Sequence, residues 1–249
     1  MQAKGRFGCQ TDIGLVRKSN EDKALSLIDA QGNILLCVCD GMGGYMKGDF
    51  ASKIAVDVIS AAFKGHMKWV FEFQVKYWIS KVVKSINFSV YSESHDSDKF
   101  AGMGTTLCMA IFFKNKVYVV NIGDSRCYRL EKDKIEQLTK DQTYVQLLES
   151  MGKIDEQEKL TSKDRHALMN FIGQNKDVNY VLTVYKNEVK TILLCSDGLY
   201  NNANEKQIFS VLDSNDRLDQ KINTLIGIAN ANGGSDNIAI SIWEPYKHD

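Results

Sequence analysis

The stretch Asn33-Ile-Leu-Leu-Cys-Val-Cys-Asp-Gly-Met-Gly-Gly44 constrains the fold of this chain more than any other. An apolar, β-prone run that stops at an acid followed by glycines reads as a buried strand delivering Asp40 to a solvent-facing turn. Ile192-Leu-Leu-Cys-Ser-Asp197-Gly198 repeats the pattern, and Gly233-Gly-Ser-Asp236-Asn237 sets a third acid beside glycines ahead of another apolar alternation. The question is what three acids on separate turns do together.

With 249 residues and apolar segments running to both ends, the chain suits one domain, 1–249, with a sizeable core. Its 31 basic and 31 acidic residues balance, which points away from nucleic acid and from an anionic membrane as main partner. The first residues lack the apolar core of a secretory signal, and no run approaches the ~18 apolar residues of a membrane span. The expectation is a cytoplasmic monomer. Cys9, Cys37, Cys39, Cys108, Cys127 and Cys195 lie in apolar, strand-like segments without a C-x-x-C, as reduced, buried cysteines do. Cys37 and Cys39 would share one face of a strand.

Strand patterns at 6–15 and 23–29 flank the charged turn Arg17-Lys-Ser-Asn-Glu21-Asp22. Ala51, Ile54, Ala55, Val58, Ile59 and Ala62 then form one stripe of a helix, and Ile79, Val82, Val83, Ile86 and Val90 another. The aromatics from Trp69 to Trp78 are less regular and suggest helix-to-sheet packing. Strand patterns at 107–113, 117–122, 127–130 and 135–138 read as an antiparallel meander. Residues 141–179 are polar, and a short helix with a mobile excursion is expected there, of a length that suggests function. Strands at 180–185 and 189–195, helices near 204–212 and 216–230, and a last strand at 238–243 follow. Strand groups separated by helix pairs argue for an α+β fold: two mainly antiparallel sheets packed together, with helices covering both.

A lone Asp-Gly is an ordinary turn signal, since Asp caps its own backbone and Gly accepts positive φ. The set says more. Carboxylates converging without histidine or cysteine make a hard, oxygen-rich site suited to Mg²⁺ or Mn²⁺ rather than zinc. Two such ions can share a carboxylate and activate a water for attack on phosphorus, while the planar fork of Arg17 suits two phosphate oxygens. Rival chemistries fail on sequence. The residues six after the cysteines are Leu15, Gly43, Tyr45, Lys114, Asp133 and Asn201, so no Cys-x5-Arg phosphatase loop exists. Met42 breaks a D-x-D-x-T site at Asp40, and Met46 and Leu107 break G-x-G-x-x-G at Gly41 and Gly102.

Six motifs in order, Gly14-Leu-Val-Arg17-Lys-Ser-Asn-Glu21-Asp22, Asp40-Gly-Met-Gly-Gly44, Gly102-Met-Gly-Thr-Thr106, Asn121-Ile-Gly-Asp-Ser-Arg126, Leu194-Cys-Ser-Asp-Gly-Leu199 and Gly234-Ser-Asp-Asn237, resemble the protein phosphatase 2C family, particularly its bacterial branch. The resemblance spans nearly the whole chain. It implies a four-layer α-β-β-α sandwich carrying a dinuclear Mn²⁺ or Mg²⁺ centre that activates water against phosphoserine and phosphothreonine. By resemblance Asp40 bridges both ions, Glu21 and the Gly41 carbonyl serve one, and Asp197 and Asp236 the other. Arg17 would bind the substrate phosphate, Asp22 would act on metal-bound water, and Asn237 would support the neighbouring ligand. Bacterial members often bind a third ion, for which Asp124 and Asp197 are the matching positions, and 143–176 matches a flap beside the substrate entrance. The implied partners are phosphorylated proteins, including a serine/threonine kinase or its targets.

Two departures stand out. Met42 occupies the place of a histidine present in many eukaryotic members, as in bacterial relatives, and Asp141-Gln142-Thr143 replaces the frequent Asp-His-Ser. Gly102–Thr106 reads as structural. His66, His95, His166 and His248 fall outside every motif, and His166, in the flap, is the one to test. A non-catalytic scaffolding member would have lost ligands, and none is missing; a regulator devoted to one partner protein would keep the same chemistry.

Overall fold

The computed structural model describes residues 4–43, 47–96, 98–188 and 190–246; Gly44, Val189 and His248 lie outside them. The chain opens with β1 (Gly5–Asp12), β2 (Asp22–Ile28) and β3 (Ile34–Met42), then α1 (Lys47–Lys64) and α2 (Glu72–Asp96). Next come β4 (Gly104–Thr105), β5 (Leu107–Phe113), β6 (Lys116–Ile122), β7 (Arg126–Leu130) and β8 (Ile135–Gln137). Two short helices, α3 (Tyr144–Ser150) and α4 (Glu156–Thr161), precede β9 (Val181–Lys186) and β10 (Ile192–Cys195). The chain ends with α5 (Asp197–Tyr200), α6 (Glu205–Asp213), α7 (Leu218–Ala231) and β11 (Ile238–Pro245).

The strands form two antiparallel sheets, ordered β1-β11-β10-β7-β8 and β2-β3-β5-β6-β9, with β4 on the end of β3. Alternation decides which residues face where. On β3, Leu35, Cys37 and Cys39 pack under α1 and α2, while Ile34, Leu36 and Val38 face the other sheet. On β11, Ile238, Ile240 and Ile242 pack under α6 and α7, while Ala239 and Trp243 point between the sheets. These three apolar layers make the expected α-β-β-α sandwich. The helix stripes serve it: Ala51, Ala55 and Ile59 of α1 and Ile79, Val83, Ile86 and Val90 of α2 are wholly buried. A capping box between Asn204 and Gln207 starts α6.

Three expectations need correction. The 107–138 strands are not one meander, because β6 pairs with β9 and β7 with β10. At Gly123 (φ 94°) and Asp124 the chain leaves one sheet for the other, so each hairpin keeps its local pairing while the partner of its outer edge is set from afar. Residues 143–176 carry two helices where one was expected. The aromatics from Trp69 to Trp78 also divide: Trp69 and Trp78 are buried with Phe63, but Phe71, Phe73 and Tyr77 are exposed.

Candidate active site

Asp40 lies near the end of β3, in register with Asp22 on β2. Its backbone is held on both sides: the Asp40 N–H donates to Thr106 Oγ1 (2.9 Å), and its carbonyl accepts from the Thr106 N–H (2.8 Å) and the Thr105 hydroxyl (3.0 Å). Thr106 and Ser125 share a further hydroxyl bond of 2.7 Å, which ties the Asp124 turn to the same point. Asp22 is 2% exposed and sits behind Asp40, where Ser196 Oγ donates to its Oδ2 at 2.6 Å. Gly41 is required by contact. A Cβ there would come 2.1 Å from the Gly48 carbonyl oxygen and 2.5 Å from that of Glu21.

The early turn and the last one are knotted together by Asn237. Its Oδ1 accepts from the Glu21 N–H (2.9 Å), and its Nδ2 donates to the carbonyls of Ile13 (2.8 Å) and Ser19 (2.9 Å). Beside it, Asp236 accepts from Arg17 Nη2 at 2.7 Å. Asp197 opens α5, so its position follows from where β10 ends. A Cβ on Gly198 would meet the Asn237 carbonyl oxygen at 2.0 Å, so glycine lets the two acidic turns close on each other. Asn201 Nδ2 donates to Asp197 Oδ2 (3.1 Å), and His166 Nδ1 approaches the same oxygen at 3.5 Å from the 143–176 segment.

Arg17, Glu21, Asp40, Gly41, Asp124, Asp197 and Asp236 thus line one cavity of about 390 Å³. Asp22 does not line it. Gly44 lies outside the described residues. Burial first, then repulsion from Asp22, Asp197, Asp124 and Asp236, lifts the Asp40 carboxyl well above its usual range. Burial also lifts Asp22 to about 8, against the pull of the Ser196 hydrogen bond. Asp124 rises to about 7, through burial and then Asp197. For Arg17 burial is the largest influence and opposes the charge, but the bond to Asp236 and the attraction of Asp236, Asp197 and Asp40 together outweigh it and the pKa rises. The bond to Asp197 raises His166.

Among the described residues no three acidic, histidine or cysteine side chains stand together as a group that could hold a metal ion. The carboxylates stand around the cavity wall instead, as mutual repulsion demands. Their chemistry fits a hard divalent cation: oxygen donors whose neighbouring charges push up the Asp40 and Asp124 carboxyls, faced by Arg17, Lys18 and His166 as the basic groups of the lining.

Several residues that build this site escaped the sequence reading. Ser196 bridges Asp22 and the Ala239 N–H, and Thr106 was read only as a structural turn. Gly48 lies against Glu21, whose Oε2 is 2.3 Å from where its Cβ would be. A glycine in the first turn of α1, costing about 1 kcal/mol against alanine, was the available signal. His66 and His95 serve packing, through Asp29 (3.1 Å) and the Tyr91 ring (3.9 Å between centroids).

The profile of the family described as protein phosphatase 2C matches residues 16–239. The serine/threonine phosphatase stp of Listeria welshimeri is 33% identical over 236 residues, covering 94% of this chain and 94% of that protein. Protein phosphatase PhpP of Streptococcus pneumoniae is 29% identical over 240 residues, covering 96% and 97%. The serine/threonine phosphatase of S. agalactiae superposes with a TM-score of 0.91 at 28% identity, over 96% of this chain and 99% of that one. The catalytic domain of serine threonine protein phosphatase PstP, solved in complex with 2 manganese ions, gives a TM-score of 0.83 at 29% identity, over 96% and 97%.

Proposed function

Since the chain belongs to the protein phosphatase 2C family, we propose that its acidic cavity hydrolyses phosphoserine and phosphothreonine in protein substrates with the help of two divalent cations. Glu21, Asp40, the Gly41 carbonyl, Asp197 and Asp236 would hold a pair of Mn²⁺ or Mg²⁺ ions, and Asp124 with Asp197 a third. When bound, such ions supply an activated water and positive charge for the phosphoryl oxygens. The observation that carries this reading is the convergence of those acids, from five separate segments, on one cavity with Arg17 at its wall.

The chain's own groups have distinct tasks. Arg17, 54% exposed at its side chain and bonded to Asp236, stands where its fork can exchange one carboxylate oxygen for two phosphate oxygens. Asp22 stands behind Asp40 and outside the cavity lining, so its role toward the attacking water would be exerted through Asp40, to which it is hydrogen-bonded, and Ser196 fixes its Oδ2. Four of the six cysteines are poor nucleophiles, because burial pushes the thiols of Cys37, Cys108, Cys127 and Cys195 well above their usual range. The nucleophile in this reading is water, with no covalent phosphoenzyme. In this reading the protein is a monomer acting in the bacterial cytoplasm, against phosphoproteins that include a serine/threonine kinase or its targets.

Asp40→Asn and Asp236→Asn should each abolish manganese-stimulated phosphate release from a phosphothreonine peptide while the melting transition stays cooperative. Chelation should silence the unaltered enzyme and added Mn²⁺ restore it. Full activity in either variant would end this reading.

A further inference from the structure

The zero net charge of the chain conceals a strongly uneven surface. The outward face of α2 presents Phe73, Tyr77 and Phe88 together with Lys76, Lys81 and Lys84, all exposed. Their spacing places them on one stripe of the helix, opposite the buried Val75, Ile79, Val82 and Val83. Tyr77 is 63% and Phe88 68% exposed, and the Lys81 ammonium lies 5.5 Å from the Tyr77 ring centre. The loop ahead of the helix extends the stripe with Met67 (87% exposed), Val70 and Phe71, and the Phe71 and Phe73 rings stack at 5.8 Å. From Lys64 to Ser92 the acidic residue is Glu72, and it is paired with Lys116 at 2.7 Å.

We propose that this basic, aromatic outer face of α2 and the loop before it form a docking surface for an anionic lipid bilayer. Charge complementarity chooses the occupant: lysines interleaved with exposed aromatics on one helix face are the arrangement that lies in a lipid interface, aromatics in the acyl boundary and ammonium groups among anionic headgroups. The loop side chains stand out from the body, which suits insertion into a fluid surface. Lys68 and Lys114 border a cavity of about 510 Å³ at the same end, room for headgroups beside the inserted rings. Trp69 packs on Phe113 and Lys114 donates to the Val70 carbonyl, so this loop sits at the β5–β6 hairpin, the end of the sandwich away from Asp40. Docking there leaves the acidic cavity open and confines the chain near substrates at the membrane.

The test is sedimentation of the full chain with vesicles of phosphatidylcholine alone and of phosphatidylcholine mixed equally with phosphatidylglycerol. Binding to the mixed vesicles is expected, at least about tenfold stronger than to the neutral ones and weakened by about 0.5 M salt. Lys76→Gln/Lys81→Gln/Lys84→Gln should lower the partition coefficient by about 100-fold, at roughly fivefold per lysine. Phe71→Ser/Phe73→Ser should lower binding to both vesicles, with melting temperature and phosphopeptide hydrolysis unchanged. The proposal falls if the unaltered chain does not sediment with mixed vesicles or if both variants bind undiminished. It falls equally if the substitutions abolish a dimer seen without lipid, which would make the face an interface between copies. The sedimentation and melting readouts, which decide the proposal, do not depend on the phosphatase reading.

Discussion

Thr106 grips Asp40 through both its N–H and its carbonyl, and passes the connection on to Ser125. Thr106→Val keeps the shape of the side chain but leaves the Asp40 N–H and the Ser125 hydroxyl without this partner, a loss of about 1–3 kcal/mol. A lower melting temperature and a weaker apparent Mn²⁺ affinity are expected together; a variant that melts lower yet titrates with Mn²⁺ like the unaltered chain would show that Thr106 supports the core alone. The acids themselves stood out in the sequence because Asp-Gly at the end of an apolar run is an uncommon way to leave a strand. Thr106 and Ser196 did not, because a hydroxyl beside β-prone residues looks the same whether it faces solvent or a carboxylate.

At the scale of elements, the 143–176 segment is fastened at its base by Gln142. Its Oε1 accepts from the Gly123 N–H (3.1 Å) and Asn170 Nδ2 (2.6 Å), while its Nε2 donates to the Asn121 carbonyl (3.2 Å). The bridges Thr143↔Leu168 and Thr105↔Ile172 close the segment on itself and on β4. Gln142→Ala should raise KM for a phosphopeptide severalfold with a smaller change in kcat, and should speed proteolytic cleavage within 143–176. An unchanged KM with unchanged cleavage would deny Gln142 this role. Long helices and core strands were legible from periodicity, as in α7, where Leu218, Ile222, Leu225, Ile226 and Ala229 all prove buried. The four-residue α5 and the two-residue β4 were not, since neither is long enough to show a period.

For the molecule as a whole, the crowded acids link stability to pH. Asp22 rises from 3.8 to about 8 on folding, and Asp124 from 3.8 to about 7. A carboxyl whose pKa is raised by folding stabilises the fold while protonated in both states, and that contribution is lost as pH climbs through the folded value. His166 has the same sign, its raised pKa favouring the fold at low pH. The chelated protein should therefore melt at progressively lower temperature between about pH 5 and 8, and Mn²⁺ should stabilise it most at the upper end. A melting temperature that rises over this range without metal would contradict the arrangement. By itself the sequence determined the strand and helix runs and the acids at their ends, because burial periodicity and turn chemistry are local. Only the tertiary structure decided that β6 turns away from β7 to pair with β9, and that Asp22 stands behind Asp40 rather than in the cavity. Each depends on which distant segments become neighbours, and that is settled by packing both sheets at once.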